Sequence, residues 1–204
     1  TTRELARMIK QANIDFVKIG DSEFDNPMGD ATGAGAIFGT TGGVMEAALR
    51  TAQDVLTGED LKSIDFEQVR GEDGIKRATV NIAGKDIKVV AASGLKNAQI
   101  ILEEIKQGKA DYQFVEIMAC PGGCIMGGGQ PIKSSKIRSE VDVRKLRADC
   151  LYSIDEKSTI RKSHENPVIK KLYEEYLEKP GSEKAHKLLH TTYAPRAKYK
   201  FEEE

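Results

Sequence analysis

One glycine-rich loop that carries two cysteines constrains the fold of this chain more than any other feature. Residues 118–131 read Met-Ala-Cys-Pro-Gly-Gly-Cys-Ile-Met-Gly-Gly-Gly-Gln-Pro. Pro-Gly-Gly separates Cys120 from Cys124, and because a regular helix disfavours such a sequence, an irregular loop is predicted. Glycine lets a backbone approach a bulky object closely, and soft thiolates suit iron clusters and zinc. From the spacing alone, three interpretations stay open: a metal site, a redox dithiol, and a tight loop with two buried free cysteines.

The sequence before this loop alternates helix and strand patterns. A capping box at Thr1 and Glu4 begins a predicted helix over residues 1–13. The other predicted elements, in order, are a strand over 14–19, a glycine-rich bend over 33–43, a helix over 44–56 ended by Gly58, a hairpin of strands 75–82 and 86–92, a helix begun by Ser93 and stopped by Gly108, and a strand over 112–118. This order predicts an α/β fold, with a mixed sheet layered with helices.

The sequence after the loop contains only helix patterns. A basic, serine-rich stretch from Lys133 to Arg138 predicts a linker. Helices are predicted over residues 141–154, 167–178 and 182–190. We therefore expect two regions: an α/β lobe over residues 1–135 and a helical C-terminal extension over 136–204.

Charge and composition exclude several classes of partner. With 31 basic and 32 acidic residues the net charge is −1, which does not favour nucleic acid or an anionic membrane surface. No uncharged apolar run approaches the roughly 18 residues of a membrane-spanning helix, and no signal-peptide pattern is present. Three cysteines, an odd number, fit a reducing compartment, so we expect a cytoplasmic protein. Because the first residue is Thr1, we expect a processed chain or a piece of a larger one.

The loop resembles the third cysteine motif of the iron-only ([FeFe]) hydrogenases. That motif, Met-Ala-Cys-x-x-Gly-Cys-x-x-Gly-Gly-Gly-Gln-Pro, is matched without a gap by residues 118–131. The Pro121-Gly122 pair resembles the branch that works in complexes with NAD(P)H and ferredoxin. Further resemblance to the family is carried by residues 22–25, 32–39, 42–48, 161–167 and 185–191, so the matches are spread over nearly the whole chain.

The resemblance implies a particular cofactor and a role for four residues. In this family four cysteines hold a [4Fe–4S] cluster, and one of them bridges to a two-iron site that carries carbon monoxide, cyanide and an azadithiolate; together they form the H-cluster. By position, Cys120 resembles the cysteine that binds only the [4Fe–4S] cluster. Cys124 resembles the cysteine that bridges this cluster to the two-iron catalytic site. Met118 and Phe38 resemble residues that pack near the two-iron site and help to exclude water. Cys150 matches no motif, and its side chain is predicted to be buried on a helix, where it packs in the core.

The chain looks like half of such a site. A cubane has four iron corners, and the family's other two ligands, its proton-donating cysteine and its relay carboxylates belong to motifs that are not in this sequence. The resemblance implies the C-terminal lobe of the catalytic domain plus the small-subunit region. The parent reaction is the reversible reduction of protons to H2, with electrons from ferredoxin or NAD(P)H-linked subunits. Without its partner, the missing N-terminal lobe, we expect an inactive chain with Cys120 and Cys124 at an exposed edge.

Three alternatives remain open at this stage. A non-catalytic relative that helps to assemble cytosolic iron–sulfur proteins shares the Met-Ala-Cys loop. A natural split enzyme would receive its other cysteines from a second subunit. A hydrogen-sensing relative keeps the ligands while losing turnover.

Weaker patterns favour structural roles. The glycine run over 33–39 lacks phosphate-loop spacing, which favours close backbone packing over nucleotide binding. His186 and His190 have the spacing of a zinc pair, but no third ligand is evident, so an amphipathic helix is predicted. His164 is expected to fix a helix start by hydrogen bonding. The acidic loop over 21–30 does not follow calcium-loop spacing, and a solvated loop is predicted.

Overall fold

The computed structural model describes residues 1–23, 25, 30–58, 70 and 74–194, and it confirms the α/β fold class. The strands are β1 (Ile75–Ile82), β2 (Lys85–Ser93) and β3 (Phe114–Met118). The helices are α1 (Thr2–Gln11), α2 (Gly33–Ile37), α3 (Gly43–Thr57), α4 (Leu95–Lys106), α5 (Ser135–Glu140), α6 (Val143–Lys157), α7 (Pro167–Leu172) and α8 (Glu183–Leu189). No helix in these ranges is long and apolar enough to cross a membrane.

The sheet has the order β1-β2-β3 and is mixed. The predicted hairpin is confirmed, because β1 and β2 pair antiparallel across a two-residue turn at Ala83 and Gly84. β2 and β3 pair parallel, with α4 as the crossover between them. Ser93 therefore lies beside Met118, where the carboxyl ends of both parallel strands meet.

Helices cover both faces of the sheet. Successive residues of β2 point to opposite faces, so Val89 and Ala91 pack toward α3 while Val90 and Ala92 pack toward α4. The α3 face adds Met45, Leu49, Val80 and Ile82, and the α4 face adds Ile101. The core thus forms two apolar layers, one on each side of the sheet.

Two predictions near the chain's irregular parts are wrong. Residues 14–19 form turns rather than a strand, with Phe16, Val17 and Ile19 exposed. A strand needs a neighbour for its backbone groups, and none of the three described strands pairs with this stretch. The predicted linker contains helix α5, because the Ser134 side chain accepts the Ile137 N–H and caps it.

The chain divides into two compact units, residues 1–166 and 167–204. The first holds the sheet and α1–α6; the second holds α7, a π-helical turn at Tyr173–Leu177, and α8. In the second unit, Ser182 caps α8 by accepting the Ala185 N–H and donates to the Leu177 carbonyl at 2.6 Å. The sequence-based division after residue 135 follows changes of composition rather than these units, and it stays a prediction.

Candidate metal centre

The cysteine loop, residues 119–131, leaves the sheet at the carboxyl end of β3. Ser93 was predicted to cap α4, but Gly94 is the N-cap residue of that helix, and no side chain caps it. The Ser93 hydroxyl instead accepts the Gly122 N–H at 3.1 Å, and the Gly94 N–H donates to the Met118 carbonyl at 2.8 Å. Both parallel strands therefore hold the start of the loop.

The loop packs backbone to backbone on the glycine-rich bend before α3. Gly123 has φ of 88°, and a Cβ there would lie 2.7 Å from the Gly39 carbonyl oxygen and 3.0 Å from the Thr41 nitrogen. The Ile125 N–H donates to that same Gly39 oxygen at 3.1 Å. Only glycine fits this approach, so the two glycine-rich segments form one packed unit.

The two thiols of the loop differ in exposure. Cys124 is exposed and opens a short 3₁₀ turn, Cys124–Met126, whereas Cys120 is half-buried. Both are free thiols. Met118 is half-buried and Phe38, just after α2, is 43% exposed. The expectation that both cysteines lie at an exposed edge therefore holds for Cys124 and only in part for Cys120.

Most backbone N–H groups of the loop are already paired within the chain. Gly123 donates to the Cys120 carbonyl, and Gly127 donates to the Cys124 carbonyl, both at 3.0 Å. The other paired N–H groups are those of Gly122, Ile125, Met126 and Gln130. These N–H groups therefore find acceptors within the loop or on Ser93 and Gly39, and they do not depend on a ligand for pairing.

Cys150 was predicted to be buried, and that prediction is wrong. It lies on an exposed part of α6. The only fully buried residue of that helix is the charged Asp155, so the apolar period does not predict which side chains point inward. Among the described residues, the three cysteines do not bring their sulfur atoms together as one ligand group.

The buried carboxylate of Glu116, which the sequence analysis did not single out, holds the glycine-rich bend on which the cysteine loop packs. Glu116 on β3 accepts the N–H groups of Gly42 at 2.6 Å and Met45 at 2.7 Å, at the beginning of α3. Burial raises the pKa of Glu116, and these two backbone hydrogen bonds partly offset the rise. Its only sequence signal is a charged residue inside an apolar strand.

A buried ion-pair network joins α6 to α3. Arg50 donates to both oxygens of Asp155 at 2.8 Å and to Glu46 at 2.8 Å, and Arg161 also donates to Asp155 at 2.6 Å. Burial alone would raise the pKa of Asp155, but the hydrogen bonds and charges of the two arginines hold it below its ordinary value. A Cβ at Gly33 would collide with the Asp155 carboxylate, so glycine at this position allows α2 and α6 to approach closely.

A second polar cluster contains the one group of three potential metal ligands found among the described residues: Asp54, His164 and Glu165. Lys162 Nζ lies 2.6 Å from Asp54 Oδ2 and 3.5 Å from Glu165 Oε1, so one ammonium group already pairs with both carboxylates. The His164 ring bonds Asp54 at 3.1 Å and Thr51 at 3.0 Å. His164 therefore ties its segment to α3 and does not fix a helix start as predicted.

The other weak patterns have structural explanations. At the N-terminus of α2, the N–H groups of Gly33 and Ala34 donate to the carbonyls of Ile160 and Arg161, which confirms close packing instead of a phosphate site. The rings of His186 and His190 stack at 4.3 Å on the exposed surface of α8 and its end. The acidic loop falls partly on residues outside the described ranges.

A basic cavity of about 790 Å³ lies beside the cysteine loop. Its wall includes Met126 and Gly127 of the loop. The charged side chains around it are Arg3, Lys133, Arg138, Arg144 and Arg147, with Glu140 and Asp142. Cations outnumber anions here, unlike in the chain as a whole.

Comparisons with known families and proteins match almost the full length. The family described as "Iron only hydrogenase large subunit, C-terminal domain" matches residues 1–128, and "Iron hydrogenase small subunit" matches residues 141–196. The NADP-reducing hydrogenase subunit HndD of Solidesulfovibrio fructosivorans is 50% identical over 96% of this chain and 33% of its own length. Iron hydrogenase 1 of Clostridium pasteurianum is 49% identical over 95% of this chain and 34% of its own.

A solved structure and a more distant relative complete the comparison. A variant of the [FeFe]-hydrogenase HydA1 from Chlamydomonas reinhardtii has a TM-score of 0.68 and 42% identity, covering 93% of this chain and 53% of that one. Protein NAR1 of Arabidopsis thaliana is 35% identical over 97% of this chain and 42% of its own. The chain spans about a third of the length of the first two relatives.

Proposed function

The chain belongs to the iron-only hydrogenase family, and from this premise we propose that it is the C-terminal part of a hydrogenase catalytic domain joined to a small-subunit region. The parent reaction is the reversible combination of two protons and two electrons to H2. The observation that carries the proposal is the cysteine loop, which presents one exposed and one half-buried free thiol from a backbone seated on glycines. The chain alone is proposed to be inactive.

The donor set fits two corners of an iron–sulfur cubane. Cys120 and Cys124 are thiols on one ordered loop, and soft sulfur ligands suit iron. Cys120 would hold the [4Fe–4S] cluster alone, and Cys124 would bridge it to the two-iron part of the H-cluster. When bound, that group supplies the place where protons and electrons combine. Met118 and Phe38 would cover it and exclude water.

The N-terminal lobe is the proposed partner that completes the site. None of the residues of α1 is buried, and Leu5 and Met8 are 58% and 63% exposed. Phe16, Val17 and Ile19 are exposed as well, and exposed apolar residues in such numbers support an interaction surface. The basic cavity supports an acidic electron donor such as ferredoxin, delivering electrons directly or from NAD(P)H-linked subunits. Three free thiols support a cytoplasmic location.

Infrared spectroscopy tests the proposed function. The chain is joined to an N-terminal lobe of a family relative, produced with its cluster-assembly machinery, and purified without oxygen. We expect bands of bound carbon monoxide and cyanide together with H2 evolution, and loss of both in Cys124→Ser. Cys150→Ser is the matched control and is expected to keep them.

The second candidate function is iron–sulfur protein assembly without hydrogenase activity. It is favoured by the 35% identity to NAR1 and by the relatives named as cytosolic Fe-S cluster assembly factors, which are 28% and 31% identical. A joined protein that binds a [4Fe–4S] cluster but shows neither diatomic-ligand bands nor H2 evolution would support this candidate. A spectrum with those bands and no turnover would point to a hydrogen sensor.

A further inference from the structure

Arg147 connects helix α6 to the cysteine loop. One guanidinium nitrogen, Nη1, donates to the Ile125 carbonyl at 2.7 Å, and the other, Nη2, donates to the Pro131 carbonyl at 2.8 Å. Nη1 also lies 3.8 Å from the Met126 sulfur. A single side chain thus bridges two points of the loop that are six residues apart.

No N–H group of the loop donates to either of these two carbonyl oxygens. Ile125 belongs to the 3₁₀ turn that Cys124 opens, and the last carbonyls of a short helix have no acceptor role inside it. A cation is favoured at that end of a helix. Pro131 ends the glycine-rich segment, which holds Gly127, Gly128 and Gly129. The rigid fork of an arginine therefore holds both ends of a segment with three consecutive glycines, which have little conformational restriction of their own.

We propose that Arg147 is a positioning residue that holds Cys124 in place for cluster ligation. The role in ligation rests on the proposed function; the ordering of the loop does not. Arg147 lies within residues 141–196, the part that matches the small subunit, whereas both cysteines lie within residues 1–128. The small-subunit region thereby contributes directly to the seat of the cluster.

Hydrogen exchange of the metal-free full chain tests the ordering. Arg147→Gln removes the fork, and Lys145→Gln removes the same charge from an exposed i,i+4 pair with Asp149 on the same helix. We expect the amides of the 125–130 segment to exchange roughly tenfold faster in Arg147→Gln, since hydrogen bonds from charged donors stabilise local structure by this order. Lys145→Gln should match the wild type. Equal exchange in both variants overturns the proposal.

The β1–β2 hairpin is the internal reference for global folding. If its amides also exchange faster in Arg147→Gln, Arg147→Lys decides, because an ammonium keeps the charge but cannot bridge both carbonyls. In Arg147→Lys we expect the loop amides to exchange faster than in the wild type and the hairpin amides to exchange at the wild-type rate. Loop exchange equal to the wild type in Arg147→Lys would count against positioning by the fork.

Iron retention tests the role in ligation. In the cluster-loaded chain joined to an N-terminal lobe, a chelator should remove iron several-fold faster from Arg147→Gln than from Lys145→Gln. Equal rates would refute the role in ligation and leave the ordering intact. A wild-type protein that binds no iron would refute the proposed function itself, while the exchange experiment would still report on the loop.

Discussion

At the scale of single residues, Glu116 shows how a buried charge can serve a neighbouring loop. Its carboxylate on β3 accepts two N–H groups at the beginning of α3, only a few residues from Met118 and Cys120. These first N–H groups of a helix have no partner within it. Glu116 therefore fixes the glycine-rich bend on which the cysteine loop rests.

Replacing Glu116 tests this role through stability. Glu116→Ala leaves both N–H groups without their acceptor, and we expect the free energy of unfolding to fall by about 1–3 kcal/mol. Because the pKa of Glu116 is raised in the folded state, its contribution is full below the ordinary value of 4.5 and is lost as the pH rises through the folded pKa. Glu116→Gln should remove this loss. Urea unfolding at several pH values measures both effects, with exposed Glu103→Gln as control; an unchanged pH profile in Glu116→Gln would contradict the assignment.

At the scale of elements, a buried ion pair joins helix α6 to α3. Arg50 is fully buried and shares Asp155 with Arg161. Removing one partner of a buried ion pair lowers the free energy of unfolding strongly, because the other charge is left buried and uncompensated. The match to the small subunit begins at residue 141, so this network joins the first helix of that matched range to α3.

Asp155→Asn is expected to lower the free energy of unfolding by about 3–5 kcal/mol. The pKa of Asp155 is lowered in the folded state, so its contribution is present above the ordinary value of 3.8 and is lost as the pH falls through the folded pKa. The variant should therefore lose the acid-side decline of the wild type. Asp149→Asn, exposed on the same helix, should stay within about 0.5 kcal/mol of the wild type in the same urea titrations. Equal stabilities of the two variants would rule out the network as the main attachment.

The elements also show which structure the sequence can predict. The hairpin, α3 and α4 follow from local signals, namely a turn at Gly84, apolar periods, and glycines that end helices. The stretch over 14–19 has strand propensity but pairs with none of the described strands, and Cys150 lies on the exposed side of its helix. Both errors arise because pairing and orientation depend on residues far away in the sequence. Glu116 and Arg147 were missed for the same reason, since their partners are backbone atoms of distant segments.

At the scale of the whole molecule, two family regions share one chain. Residues 1–128 and 141–196 match a large-subunit domain and a small subunit, and α5 lies across the join. The structure gives the site two cysteines on an ordered loop. The resemblance of the loop motif could be read from the sequence, but the differing exposure of the two thiols could not, because neighbouring segments determine it. We infer that the rest of the site comes from the other lobe.

Anaerobic reconstitution of this chain with iron and sulfide tests that inference most directly. Iron and acid-labile sulfide are counted per chain, the oligomeric state is measured, and the reduced sample is examined by electron paramagnetic resonance. If the chain carries half a site, it holds no stable cluster, or only one in a dimer that pools Cys120 and Cys124 from two copies. About four irons in a stable monomer would contradict the half-site, because four corners would then be held by this chain alone.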